Sequence, residues 1–169
     1  MMEKIKKIKI LVVDVDGVLT DGRIIVDSRG QEIKNFYVQD GFGLVAARRV
    51  GLKTAILTAR TSKPVEHRAK DLQFDKVYQG AYPKLKAYEK MLKELRLRDE
   101  EVCFVGDDIP DLQVLKRVGF AVTVPHAPVE IKRVANYVTK TEAGRGAVRE
   151  VIELILKTQG KWKKVLEIS

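Results

Sequence analysis

Residues 9–22 read KILVVDVDGVLTDG. A β-branched apolar run climbs to Asp14, and Val15, Asp16 and Gly17 follow at once, with Asp21 five residues beyond Asp16. A short apolar run that ends in a glycine turn predicts a strand buried on both faces. Like charges placed this close repel, so the proximity of the acids has to be offset. A bound metal, a protonated acid or a solvated turn would each do so.

The rest of the chain repeats the pattern. LKTAILT (52–58) and EVCFVGD (101–107) are further buried strands, KVYQG (76–80) is a short one, and FAVTV (120–124) and NYVT (136–139) are strand candidates. Helical patterns lie between them: one capped by Asp40 and ending at Gly51, one from Ser62 to about Leu72, and one from Lys84 with its stripe at Leu85, Tyr88, Met91, Leu92 and Leu95. Leu112, Leu115 and Val118 mark a short helix, and Val148, Val151, Ile152 and Ile155 one face of a last one. Alternating strands and helices with apolar strand faces predict an α/β fold: a three-layer, Rossmann-like, doubly wound parallel sheet. GRIIVDSRGQEIKNFYV (22–38), with turn formers Asp27, Ser28 and Gly30, adds a small β-hairpin insertion after the first strand, over residues 22–37.

In such sheets chemistry gathers beyond the carboxyl ends of the strands. The polar residues follow that rule. The first strand stops at Asp14 and Asp16, the second at Thr58, Ala59 and Arg60, and EVCFVGD at Asp107 and Asp108, while Lys84 opens a helix. Residues two apart on an extended segment share a side, so Asp14 and Asp16 face one centre. With Asp107 they make a hard, all-oxygen set suited to Mg²⁺. Thr58 and Lys84 supply a hydroxyl and a cation for phosphoryl oxygens, and an aspartate is an accepted nucleophile toward phosphorus.

Composition sets the outer bounds. The 169 residues are 45% hydrophobic and carry a net charge of +9. The first ten residues and the last thirteen hold +3 each, with Trp162 their one aromatic and no series of them to stack bases, so solvated lysine-rich ends explain the excess and no nucleic-acid partner is expected. No apolar run reaches the roughly 18 residues of a membrane span and no signal peptide is read, so no membrane partner is expected. Cys103 is the sole cysteine, which suits a reducing, cytoplasmic location.

Simpler uses exist for each piece. An EF-hand fails, because Leu19 stands where that loop needs glycine and Ile25 where it needs glutamate. Asp107 and Asp108 alone would serve as a helix cap, and Thr58 or Lys84 alone would be structural. His67, His126, Tyr88 and Trp162 read as ordinary packing or surface residues. A phospho-accepting receiver domain uses similar residue types, but there the acceptor aspartate follows the acidic pair and precedes Thr and Lys. Here Thr58 and Lys84 precede Asp107 and Asp108, and Asp16 has no role in that scheme.

DVDGVLTDG, ILTAR, Lys84 and GDDIPDL together resemble the four motifs of the haloacid dehalogenase superfamily, in its order. The resemblance implies that Asp14 attacks phosphorus and that Asp16 gives a proton to the leaving oxygen and then activates water. It implies Mg²⁺ on Asp14, the main-chain carbonyl of Asp16, and Asp107. Thr58 and Lys84 would hold the phosphoryl oxygens, with Asp108 and Asp111 as supports. Only 41 residues lie between Asp16 and Thr58 and 25 between Thr58 and Lys84, so no cap domain fits.

Over nearly the whole chain, TDGRIIV…FYVQDGFG, YQG, GDDIPDL and AGRGAVREVIELIL resemble the bacterial 3-deoxy-D-manno-octulosonate 8-phosphate phosphatases. That resemblance implies hydrolysis of a small anionic sugar phosphate in lipopolysaccharide precursor synthesis, through an aspartyl-phosphate. It also implies one phosphatase domain over residues 1–169 and a homotetramer built on hairpin contacts. Sugar-acid contacts would come from Tyr37, Val38, Gln39, Asp40, Gly41, Arg60 and Arg68, and residues 158–169 would form a flexible tail. Ala59 and Val45 depart from the pattern, and a nine-carbon sialic-acid-type 9-phosphate is the alternative substrate.

Overall fold

The computed structural model describes residues 1–167. β1 (Ile10–Val13) is buried at all four positions, as its unbroken apolar run requires. It lies between β4 (Lys53–Leu57) and β6 (Val102–Val105), with Ile10 opposite Lys53 on one side and Val102 on the other. β5 (Lys76–Tyr78) adds beyond β4, and β7 (Phe120–Thr123) and β8 (Tyr137–Val138) beyond β6, every pairing parallel. β2 (Ile25–Val26) and β3 (Glu32–Ile33) form a separate antiparallel hairpin.

The six-stranded order is β5-β4-β1-β6-β7-β8. Counting only these strands along the chain, it reads 3-2-1-4-5-6, the doubly wound Rossmann order. The winding reverses between β1 and β6, and the crevice at their carboxyl ends is the topological switch point. Asp14 and Asp107 follow those two strands.

Side-chain alternation divides the core into two layers. Leu11 and Val13 of β1 join Cys103, Val105, Phe120 and Val122 on one face, under α1 (Met2–Lys6), α2 (Val38–Arg49), α3 (Lys63–Asp71), α7 (Ala147–Thr158) and α8 (Trp162–Glu167). Ile10 and Val12 join Leu57, Phe104 and Ala121 on the other, under α4 (Lys84–Leu95), α5 (Leu112–Leu115) and α6 (Val129–Val134). A fully buried Val, Leu or Ile contributes roughly 1.5–3 kcal/mol, so β1 and β6 anchor the site firmly. Among the described residues, no segment other than the hairpin is inserted beside the site in the way a cap domain would be.

Two expectations change. The helix expected to be capped by Asp40 is α2, which begins at Val38: Tyr37 is its extended N-cap, and Asp40 lies inside the first turn. The stretch after residue 158 is not a free tail up to Glu167, because α8 forms there, Val165 is buried and the Trp162 ring lies 5.1 Å from the Arg149 guanidinium. Residues 168 and 169 of that expected tail lie outside the described residues. α1 and α6 were not foreseen; each is too short to show a stripe, yet each buries one isoleucine, Ile5 and Ile131.

Candidate active site

β1 delivers Asp14 to the crevice with 8% of its surface exposed, and the Val15 N–H donates to its Oδ1 at 2.7 Å. Lys84 opens α4 and is 2% exposed. Its Nζ lies 2.8 Å from Asp14 Oδ2 and 2.5 Å from Asp111 Oδ1. Burial alone would lower the lysine's pKa; the charges of Asp14 and Asp111 override it and hold the ammonium charged.

Asp111 holds the loop after β6 in shape. Its Oδ2 accepts from the N–H groups of Asp107 and Asp108 at 2.9 and 3.3 Å, and Asp108 in turn accepts the Ile109 N–H at 2.8 Å. Asp107 is different: its Oδ1 is buried with no hydrogen-bond partner among the described residues. Its other oxygen crowds Gly17, where a Cβ would sit 2.1 Å from Oδ2 and φ is +83°, so only glycine fits that turn.

Asp14, Asp107 and Asp111 place one oxygen each within 4.8 Å of one another. Burial, reinforced by Asp14 and Asp111, pushes the Asp107 carboxyl up to about 8, and burial also raises Asp14 to about 6. Three crowded acids against one lysine leave a deficit of positive charge. Asp111 has spent both oxygens on Lys84 and the loop, whereas Asp107 has an empty one beside Asp14. A hard divalent cation on Asp14 and Asp107 fits this donor set and relieves the repulsion.

Thr58 follows β4 and is buried; the Arg60 N–H reaches its Oγ1 at 3.4 Å. Arg60 turns back toward Asp16, with Nε 3.5 Å from Oδ2. The structure thus gathers Asp14, Asp16, Thr58, Arg60, Lys84, Asp107, Asp108 and Asp111 at the carboxyl ends of β1, β4 and β6. Tyr37, Asp40, Gly41 and Arg68 line a separate narrow cleft with Phe36 and Leu19. There Arg68 lies 5.8 Å over the Phe36 ring and donates to Asp71 at 2.7 Å. Val38 and Gln39 are exposed.

Asp40 is committed elsewhere. Its Oδ1 accepts the Arg149 N–H at 2.7 Å in the first turn of α7, and burial raises its carboxyl to about 6 against the helix N–H groups that lower it. The residue read as a cap for its own helix caps another, 109 residues away.

Three site residues were not foreseen. Lys34 and Glu32 come from the hairpin, and Lys34 Nζ contacts Asp16 Oδ1. His126, read as ordinary, stands after β7 with Nε2 3.6 Å from Asp107 Oδ2 and Nδ1 3.8 Å from Glu142. A turn at the carboxyl end of β7 was the available signal for it.

A buried aspartate held by a lysine, beside a second carboxylate whose buried oxygen has no partner among the described residues, at the switch point of this sheet, defines a phosphohydrolase of the haloacid dehalogenase class. Residues 73–152 match the model of that family, described as haloacid dehalogenase-like hydrolase. Across 162 residues the chain is 44% identical to the 3-deoxy-D-manno-octulosonate 8-phosphate phosphatase KdsC of Escherichia coli, covering 95% of this chain and 86% of the relative. A crystal structure of the Moraxella catarrhalis phosphatase of that name, with magnesium, phosphate and KDO, superposes with TM-score 0.96 at 42% identity, over 99% of this chain and 96% of the other. The cobalt-bound Haemophilus influenzae protein follows at TM-score 0.90 and 35% identity, over 94% and 92%. The chain belongs to the 3-deoxy-D-manno-octulosonate 8-phosphate phosphatase family.

Proposed function

We infer that this enzyme hydrolyses 3-deoxy-D-manno-octulosonate 8-phosphate to the free sugar acid and phosphate, a step in lipopolysaccharide precursor synthesis. The observation that carries the reading is the buried Asp14 held by Lys84 at the switch point, beside the unpartnered oxygen of Asp107. Identity of 44% to relatives of that activity supplies the substrate.

Asp14 attacks phosphorus; a bond forms from its carboxylate oxygen as the bond to the sugar oxygen breaks. Asp16 delivers a proton to that leaving oxygen. The aspartyl-phosphate is then opened by a water whose proton returns to Asp16, and Asp14 is regenerated as phosphate departs. Lys84 and the Thr58 hydroxyl hold the phosphoryl oxygens throughout, where fixed donors stabilise developing charge best. Mg²⁺ would be held by Asp14, Asp107 and the main-chain carbonyl of Asp16, and when bound it neutralises the crowded acids and polarises a phosphoryl oxygen.

Arg60, beside Asp16, is placed for an anionic group of the substrate. Tyr37, Val38, Gln39, Gly41 and Arg68 complete the sugar-acid contacts from the narrow cleft or across a subunit boundary. The 1–169 chain acts as one cytoplasmic domain in a homotetramer, with the 22–37 hairpin making the contacts. Exposed Ile24, Ile25, Val26 and Ile33 on the hairpin and Val38 and Phe42 on α2 support that assembly, because so many apolar side chains in one region mark an interface. Sedimentation at micromolar concentration tests it, a monomer being the contrary result. The substrate is tested by comparing kcat/KM for the eight-carbon and nine-carbon sugar-acid phosphates with Mg²⁺. Preference for the eight-carbon ester is expected, and preference for the nine-carbon ester would overturn the assignment.

A further inference from the structure

Asp16 has two oxygens in unequal surroundings. Oδ1 is in contact with Lys34 Nζ, whose side chain is only 1% exposed although it stems from the otherwise solvated hairpin. Oδ2 faces Arg60 Nε at 3.5 Å, beyond a good hydrogen bond. One oxygen is therefore pinned by close contact, and the other meets Arg60 only as a longer ion pair.

The pinning group is itself pinned. Glu32, two residues earlier, accepts from Lys34 Nζ at 3.1 Å and from Arg60 Nη2 at 2.9 Å with one oxygen. Its other oxygen accepts the Ser62 hydroxyl at 2.5 Å, at the buried start of α3. Burial would raise the Glu32 carboxyl, but Ser62, Lys34 and Arg60 together hold it below its ordinary value. With Asp16 ionised, two carboxylates and two cations balance; with its proton on, Glu32 alone still faces the buried lysine at 3.1 Å. The Asp16 side chain is thus oriented by a hairpin that is anchored in turn to α3.

We propose that Lys34 is a positioning residue for the proton transfers of Asp16: by holding Oδ1 it aims Oδ2 at the leaving-group oxygen. This rests on the reading of Asp16 as the proton donor given above. Lys34 touches neither substrate nor metal in this scheme and keeps its own protons. The proton passes from Asp16 Oδ2 to the sugar oxygen as the phosphorus–oxygen bond breaks, and the same oxygen later takes the proton of the attacking water. A proton donor misplaced by even a fraction of an ångström loses much of its effect.

The consequence depends on the leaving group, which a merely structural role does not predict. An alkoxide leaves poorly without a proton, whereas a nitrophenolate leaves as the anion. The test measures kcat/KM, which reports the steps up to the aspartyl-phosphate, for wild type and Lys34→Met across p-nitrophenyl phosphate, phenyl phosphate, a simple primary alkyl phosphate and the sugar-acid phosphate. The expected loss is about 100-fold for the alkyl and sugar-acid esters and about threefold or less for p-nitrophenyl phosphate. The Mg²⁺ concentration for half activation stays unchanged. Lys34→Arg, which keeps the charge, recovers at least about tenfold at the alkyl end. An equal loss on every ester, or no loss on any, overturns the proposal. If Lys34→Met does not fold, the same leaving-group trend in Lys34→Arg, smaller in size, decides the matter. Wild-type failure on the sugar-acid phosphate alone would refute the substrate assignment, while the aryl-to-alkyl series would still judge Lys34.

Discussion

Two clusters of charge stand side by side in this molecule, and they are built on opposite principles. At the ends of β1 and β6, Asp14 and Asp111 hold a single ammonium, Lys84, while Asp107 crowds beside them with a buried oxygen that has no hydrogen-bond partner among the described residues. At the base of the hairpin, Asp16 and Glu32 meet Lys34 and Arg60, two against two. The first cluster holds an excess of acids, whereas in the second each charge has a partner and only the half-exposed Arg60 has N–H groups to spare. Imbalance marks where chemistry is to be supplied from outside; balance marks where a side chain is to be held still. Carboxyl groups raised to about 6 and about 8 in the first cluster are the electrostatic signature of the deficit.

The contrast can be broken most severely at its centre. Asp14→Asn removes the attacking oxygen, and Mg²⁺-dependent phosphate release should fall by roughly 10⁴-fold or more. Clean, folded mutant protein that still turned over would end the nucleophile assignment. Lys84→Met strips the unbalanced cluster of its cation and should lower kcat about 10²–10³-fold. Thermal melting of that variant without metal should also drop, with added Mg²⁺ restoring part of the loss.

A third prediction concerns pH. Asp14 and Asp107 titrate higher in the folded, metal-free protein than in the unfolded chain, so the folded state binds more protons between about pH 4 and pH 8. Stability then falls as pH rises through that window. Melting temperature without metal should decline from pH 5 to pH 8, and Mg²⁺ should raise it more at pH 8 than at pH 5. An equal gain at both values would mean that the acids are not the metal's ligands. The smallest effect belongs to the balanced cluster. Glu32→Gln takes one carboxylate from the buried Lys34 ammonium, which keeps Asp16 as its partner, and its stability cost should be about 1–3 kcal/mol by denaturant titration.

Much of this was readable from residues 9–22 outward. Apolar runs of four or five residues leave little choice but buried strands, and the ends of those strands name Asp14, Thr58 and Asp107 without a structure. What the sequence hid has physical causes. Lys34 sits in EIKN, a stretch whose polarity reads as solvated surface, and nothing local reveals that its side chain turns inward to a carboxylate 18 residues earlier. His126 is separated from Asp107 by all of α5 and β7. Asp40 precedes a glycine where a helix begins, the usual mark of a cap, yet Tyr37 takes that place through its extended backbone and Asp40 serves a helix from the far end of the chain. Short helices such as α1 show no periodicity, since five residues make little more than one turn.

Gly144, with φ at +63°, lies so close to the chain at Thr20 and Asp21 that a Cβ would come within 2.6 Å of backbone, and its N–H donates to the Val18 carbonyl at 3.1 Å. The turn that carries Asp16 and Gly17 therefore rests on a segment made more than 120 residues later. During synthesis the nucleophile, the phosphate-holding lysine and the metal acids all emerge before their floor does. A single proteolytic cut near residue 142 would spare each of them and still unseat the turn, so intactness of that loop is a better gauge of competent enzyme than the presence of its catalytic residues.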